Sequence, residues 1–217
     1  MLNHYKSRFP ECNFVLYDNY STDKTNEIAK NNGCEIIMYD TNNQVDDQKL
    51  THLKNNCWKN AKTDWVLVCD VDELLEINAD NLKKEEEKNV TIINSIAYNM
   101  VNMEDNFDFA NIKYGSRCPP YDKRLLFNKK FIQEINYCPG GHMCSPIGVA
   151  KYSDSEYTLY HHNGYNIEYL IFRHLETAKR LSALNKRNGW GFQYLDPPEK
   201  KREMMLGARG YVTKIIP

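Results

Sequence analysis

Trp65-Val66-Leu67-Val68-Cys69-Asp70-Val71-Asp72-Glu73 is the stretch on which the reading of this chain turns. Its first five residues are uninterruptedly apolar, which predicts a short strand buried on both faces. The run ends directly in carboxylates. In open α/β sheets, ligands bind just beyond the carboxyl ends of the strands. Two carboxylates at i and i+2 in such a place can turn toward one cation, so Asp70 and Asp72 are candidate metal ligands. A hard divalent ion, Mn²⁺ or Mg²⁺, suits them because it takes few carboxylates and leaves positions for phosphate oxygens. The competing reading is an acidic helix start, with Asp72 and Glu73 at the N-terminus of a helix through Leu74-Leu75. The buried strand ahead of the acids weighs against it.

Upstream, Phe14–Tyr17 is a second strand candidate, followed by polar turn residues Asp18 to Asp23. A helix is expected from Thr22 to Asn32, closed by Gly33 in the left-handed conformation. Glu35–Met38 reads as another strand. Leu50, Leu53, Cys57 and Ala61 recur at helical spacing, with Trp58 beside them. Strands alternating with helices predict an α/β fold with a mostly parallel central sheet flanked by helices, which would bring Asp18 and Asp70 to one edge.

Downstream, the charged segment Lys83–Lys88 reads as solvated helix or loop. Strands are expected over 91–98, 123–127, 131–137 and 157–160, broken by Cys118-Pro119-Pro120 and Pro139-Gly140-Gly141. From Asn166 to Lys186 one apolar helix stripe runs through Ile167, Leu170, Ile171, His174, Leu175, Ala178, Leu181 and Leu184. No linker is evident, so residues 1–217 read as one domain, with a nucleotide-binding half over 1–77 and an acceptor-facing half over 90–190.

Composition narrows the classes. With 28 basic and 29 acidic residues the net charge is −1, which gives no support for a nucleic-acid partner. Seven cysteines without a C-x-x-C pair argue against zinc and for reduced thiols. No apolar run approaches the roughly 20 residues of a membrane span, and the first ten residues lack a secretory apolar core. A cytoplasmic location is the expectation.

Three motifs in order carry a family resemblance. Tyr17-Asp18-Asn19-Tyr20-Ser21-Thr22-Asp23-Lys24-Thr25 resembles the D-N-x-S-x-D-x-T signature of family 2-like glycosyltransferases of the GT-A fold. Lys54-Asn55, the latter fifteen residues before Asp70, resembles the R-N pair that precedes their D-x-D, and Trp65 to Glu73 resembles the strand and D-x-D itself. Beyond residue 77 the likeness narrows to a bacterial and viral subgroup, through Tyr121-Asp122-Lys123, Gly140-Gly141-His142, His161 and the stretch from Asn185 to Trp190. The resemblance implies a metal-dependent, inverting transfer of a sugar from a nucleoside-diphosphate donor, a UDP-sugar favoured, to a hydroxyl on a glycan, lipid-linked or protein acceptor. It assigns Asp18, Lys54, Asn55 and Asp70 to the donor nucleotide and diphosphate. His161 becomes a third metal ligand beside Asp70 and Asp72. Lys54 stands where Arg is usual, keeping the charge but losing the planar fork.

Inversion needs a base for the acceptor hydroxyl. Asp122, Glu104, Asp105 and His142 are the candidates. Asp122 is favoured for its place in the shared motif, and His142 for its two preceding glycines, which permit close backbone approach. Ser21, Thr22 and Asp23 read as helix capping, and His174 as packing. The GT-A fold has a strand ahead of the helix expected at Leu2–Phe9, and this sequence shows none. The expectation is that the full-length protein extends upstream to supply this central strand, or that the chain closes the gap otherwise; direct pairing of Phe14–Tyr17 with Trp65–Cys69 would reject the first option. Two rivals remain: a sugar-nucleotide nucleotidyltransferase, whose Gly-rich phosphate segment is not found here, and a non-catalytic binding module.

Overall fold

The computed structural model describes residues 1–104, 109–164 and 166–216. The chain runs α1 (Leu2–Arg8), β1 (Val15–Asp18), α2 (Thr25–Asn31), β2 (Glu35–Met38), α3 (Asp47–Asn56), β3 (Trp65–Leu67), β4 (Glu73–Leu75), α4 (Ala79–Glu87) and β5 (Ile92–Val101). It continues through β6 (Tyr114–Arg117), β7 (Leu126–Asn128), β8 (Ile132–Glu134), β9 (Ile147–Gly148), β10 (Tyr152–Gly164), α5 (Ile167–Lys179), α6 (Ala183–Asn188), α7 (Pro198–Ala208) and β11 (Thr213–Lys214). The fold is mixed α/β.

The sheet is not mostly parallel, and that expectation is corrected. β1 and β2 form a separate parallel pair. The seven-stranded main sheet has one parallel contact, β5 with β10, and its other pairings are antiparallel. For β4 the reason lies in the acidic segment. Asp70–Glu73 turns the chain straight back from β3 into β4, and a connection that short cannot return a strand in parallel. The acids therefore open no helix: β4 pairs with β10, placing Glu73 opposite His161.

Local patterns set most elements. Asp46 accepts from the Lys49 N–H at the start of α3, and Asn78 with Asn81 forms a reciprocal cap on α4. Gly33 follows α2 at φ 74°. The stripe expected to run unbroken from Asn166 to Lys186 divides into α5 and α6. At the break Ser182 accepts from the Asn185 N–H as a new N-cap, and Leu181 is drawn into a bridge with Val45. The charged segment Lys83–Lys88 is largely solvent-exposed and belongs mainly to the helix α4, except that Glu85 is buried and accepts from the Tyr157 hydroxyl at 2.9 Å.

Ile92 and Ile93, adjacent on β5, enter two different buried clusters, as period-2 alternation requires. One gathers Leu74, Leu75, Ile77, Ile93, Ala97 and Leu159. In the other, Trp58 meets Phe127 edge-on at 5.0 Å. Among the described residues, β1 and β3 are not paired with each other: β1 pairs with β2 and β3 with β7. All seven cysteines are free thiols. No helix among the described residues is long and apolar enough to cross a membrane.

Candidate functional site

The turn between β3 and β4 is locked by two reciprocal bonds. Glu73 N–H donates to Asp70 O at 3.1 Å, and Asp70 N–H donates to Glu73 Oε2 at 3.0 Å. The Glu73 carboxylate is fully buried, and Lys123, a residue only 2% exposed, donates to it through Nζ. From α3, Lys54 Nζ reaches Asp70 Oδ2 at 2.8 Å, while Lys123 Nζ lies 3.4 Å from the same oxygen. Burial alone would raise the Asp70 carboxyl, but the two ammonium groups outweigh it and hold it below the ordinary carboxylate range. Burial likewise opposes the Lys123 charge, and Glu73 and Asp70 reverse the effect, raising it. Two cations and two anions thus balance across Lys54, Asp70, Lys123 and Glu73.

Asp72 is left outside that balance. Burial first, then the neighbouring Asp70 charge, raises its carboxyl, with Arg173 and Lys123 offsetting only in part. Facing it is His161 of β10. Asn99 Oδ1 lies 2.8 Å from His161 Nδ1, so Nδ1 carries the proton and Nε2 keeps its lone pair. Burial pushes His161 down to about 4, which keeps the ring neutral. Its Nε2 lies 4.0 Å from Asp72 Oδ2. Two electron-pair donors therefore face each other across a gap that two ligands of one cation, each roughly 2.1 Å from it, can span. A carboxylate, and an imidazole whose tautomer is fixed by a neighbour, form a donor set suited to such an ion. Among the described residues, no three His, Cys, Asp or Glu side chains converge as a ready cage. Further positions on an ion held by this pair would fall to phosphate and water.

An aromatic column stands over the pair. Tyr121 stacks on His161 at 4.2 Å, and His142 meets Tyr121 edge-on at 4.6 Å. His142 Nδ1 lies 2.9 Å from Pro120 O, so Nδ1 donates there and Nε2 remains an acceptor. Burial, then the Lys123 charge, lowers its pKa. Gly140 makes room for this ring: a Cβ there would lie 2.6 Å from His142 Cδ2, and the residue sits at φ +82°.

Lys54, Asp70, Asp72, His142 and His161 line one cleft of about 2030 Å³. The other expected residues are engaged away from it. Asp18 is buried, and its Oδ2 accepts from the Ser21 N–H at 2.9 Å and Asn26 Nδ2 at 3.1 Å, closing the turn after β1. Asn55 holds the Tyr137 backbone from both sides, accepting its N–H at 2.7 Å and donating to its carbonyl at 3.2 Å. Asp122 accepts from the Ala97 N–H at 2.8 Å and is clamped by both terminal nitrogens of Arg117 at 2.8 and 2.6 Å. Glu104 does not line the cleft, and Asp105 lies outside the described residues.

Sequence reasoning missed Lys123, Glu73, Tyr121, Asn99, Tyr39 and Arg173. Tyr121 and Lys123 reach the cleft while Asp122, between them, points elsewhere. Tyr39, at the end of β2, lines the cleft, and its hydroxyl is raised by burial and then by the charges of Asp70 and Asp18. Compared with known proteins, the chain matches no family model and no curated protein sequence.

Proposed function

We propose that the cleft is the donor site of a metal-assisted glycosyltransferase with a GT-A-like arrangement, which moves a sugar from a nucleoside diphosphate, UDP favoured, to an acceptor hydroxyl. The observation that carries this reading is the Asp72–His161 pair, two electron donors 4.0 Å apart beside a lysine-balanced Asp70. A divalent cation held by Asp72 and His161, Mn²⁺ or Mg²⁺, would neutralise the diphosphate as it leaves. Lys54 and Arg173, both on the cleft wall, supply positive charge for phosphate oxygens. His142 Nε2, neutral and with its other nitrogen committed to Pro120 O, takes the proton of the acceptor hydroxyl. A base on the face opposite the leaving group gives inversion. The acceptor, whether glycan, lipid-linked or protein, occupies the wall formed by Trp190, Phe192 and Tyr194.

The test is calorimetric titration of UDP-, GDP- and TDP-sugars with and without Mn²⁺, paired with donor hydrolysis. One donor should bind in a Mn²⁺-dependent manner, and Asp72→Ala and His161→Ala should each weaken it by about 10- to 100-fold. Binding that ignores Mn²⁺ in all three proteins would count against the reading. A second reading, a non-catalytic nucleotide-sugar binder, is favoured by the double lysine pairing of Asp70, which leaves only two protein ligands for a cation. It expects the same binding with no hydrolysis above background.

A further inference from the structure

Outside the cleft, the strand pair β8–β9 leaves apolar side chains in water. Ile132 pairs with Gly148, and Val149 N–H bonds to Phe131 O at 2.9 Å. Ile132 is fully buried, whereas Phe131, Ile147 and Val149 are 47, 53 and 65% exposed. None of these three lines the cleft. Single exposed apolar residues are ordinary, but neighbours on one short strand pair mark an interaction surface. Gly148 holds the pair tight: it sits at φ +127°, and a Cβ there would overlap Phe131 O. The surroundings are basic. Residues 124–151 carry Arg124, Lys129, Lys130 and Lys151 against Glu134 alone, in a chain of net charge −1. Lys130 is matched by Asp64 and Lys59 by Glu134, each at 2.6 Å. Lys129, Lys151 and Arg124 instead donate to backbone carbonyls, of Ala61, Lys88 and Asp122 respectively. Their three charges therefore meet no carboxylate among the described residues. Arg124 also lies 5.9 Å from the ring of Tyr152, a half-exposed residue three positions beyond Val149.

We infer that β8–β9 docks on an anionic lipid surface, with Phe131, Ile147 and Val149 entering the boundary between headgroups and acyl chains. Lys129, Lys151 and Arg124 then meet the negative headgroups. Buried apolar area and attraction to anionic lipid add together at such a surface. Lysine suits the rim, because its stem lies along apolar surface while the ammonium stays in water. A second copy of this chain is disfavoured, since it would bring the same unmatched cations face to face. A protein partner is disfavoured too: the apolar side chains project from a two-stranded ribbon and offer no pocket to an anchoring side chain. The docking surface does not depend on the donor-site reading. Taken with it, and with His142 carried on the segment between β8 and β9, lipid-linked becomes the favoured acceptor class.

The test is co-sedimentation of the full chain with vesicles of phosphatidylcholine alone and of phosphatidylcholine mixed with phosphatidylglycerol. Binding to the mixed vesicles should be at least about tenfold tighter and should weaken as salt is raised. The double variant Ile147→Ser, Val149→Ser alters exposed positions only, so its urea midpoint should match wild type. It should bind the mixed vesicles at least about tenfold less tightly. Lys151→Gln leaves the apolar side chains in place and should weaken binding by about fivefold; it decides the matter if the double variant unfolds. Mn²⁺-dependent titration of donor sugars with the same variants should be unchanged, which reads the donor site separately. No binding of wild type to either vesicle would overturn the proposal. So would equal binding by wild type and a folded double variant, which would place the lipid contact elsewhere. A dimer that grows with protein concentration and is lost in the double variant would also overturn it, since a second copy would then cover the surface.

Discussion

At the residue scale, the decisive interactions are those that fix charge where water is scarce. Lys123 and Glu73 are both buried and bonded to each other, and removing one partner strands the other. Lys123→Met should therefore cost about 3–5 kcal/mol in urea unfolding, and the double variant Lys123→Met with Glu73→Leu should recover much of it. A single variant as stable as wild type would show that Glu73 finds water or another partner. The two candidate bases separate in the same way. His142→Ala should cut turnover by about 10²- to 10⁴-fold with stability little changed. Asp122→Ala, which frees Arg117 and the Ala97 N–H, should lower stability by about 1–3 kcal/mol while the folded protein keeps its turnover. The reverse pattern would return the base to Asp122. Gly140→Ala should reproduce part of the His142 loss, since its Cβ would occupy the ring's place.

At the scale of elements, short connections decide direction and long ones decide contact. α3 contributes in two ways: Lys54 to the acidic turn, and Asn55 to the backbone of Tyr137, just ahead of the Pro139-Gly140-Gly141 turn that carries His142. Two adjacent residues near the end of one helix thereby tie the acidic turn to the loop that carries the proposed base. Asn55→Ala should cost about 1–3 kcal/mol and also lower turnover, because the loop bearing His142 loses its anchor. A loss of stability with turnover per folded molecule intact would make Asn55 a packing residue only. The start of α6 is a capping problem. Ser182→Ala should cost about 1 kcal/mol, read as a shift in urea midpoint.

At the scale of the whole molecule, three buried or half-buried histidines make stability depend on pH. His161, His162 and His174 are each pushed by burial down to about 4 in the folded chain. Unfolded, each titrates near 6.5. Between about pH 6.5 and 4 the unfolded state binds protons that the native state refuses, so stability falls as pH is lowered and is level above that window. The slope is about 1.4 kcal/mol per pH unit for each fully buried ring, less for His174, which solvent reaches. Urea midpoints at pH 7.5 and 5.0 should differ accordingly, and identical midpoints would mean that the rings are protonated in place. The Asp70 contribution has the opposite origin and a lower window. Its carboxyl is held low in the folded state, so that stability is lost only as pH falls below the ordinary carboxylate range.

The sequence by itself determined the local elements and the polar residues that close them. Glu35–Met38 is the strand its β-branched run predicts, Gly33 stops α2, and the apolar run from Trp65 delivers Asp70 and Asp72 to a strand end. These are legible because strand and helix periodicities, caps and breakers act within a few residues. Strand direction and side-chain partnership were decided only by the tertiary structure. Asn55 and Asp122 are chemically suited to a site, yet each spends its oxygens on a backbone N–H that only folding brings near, while Asp18 closes a local turn on the Ser21 N–H three residues on. Conversely, Lys123 becomes part of the acidic centre because Glu73 lies fifty residues away in sequence and within bonding reach in space. The mostly parallel sheet failed for a related reason. Apolar runs say that strands are buried, but the sharp reversal at Asp70–Glu73 sets which way the next strand runs and which neighbour it meets.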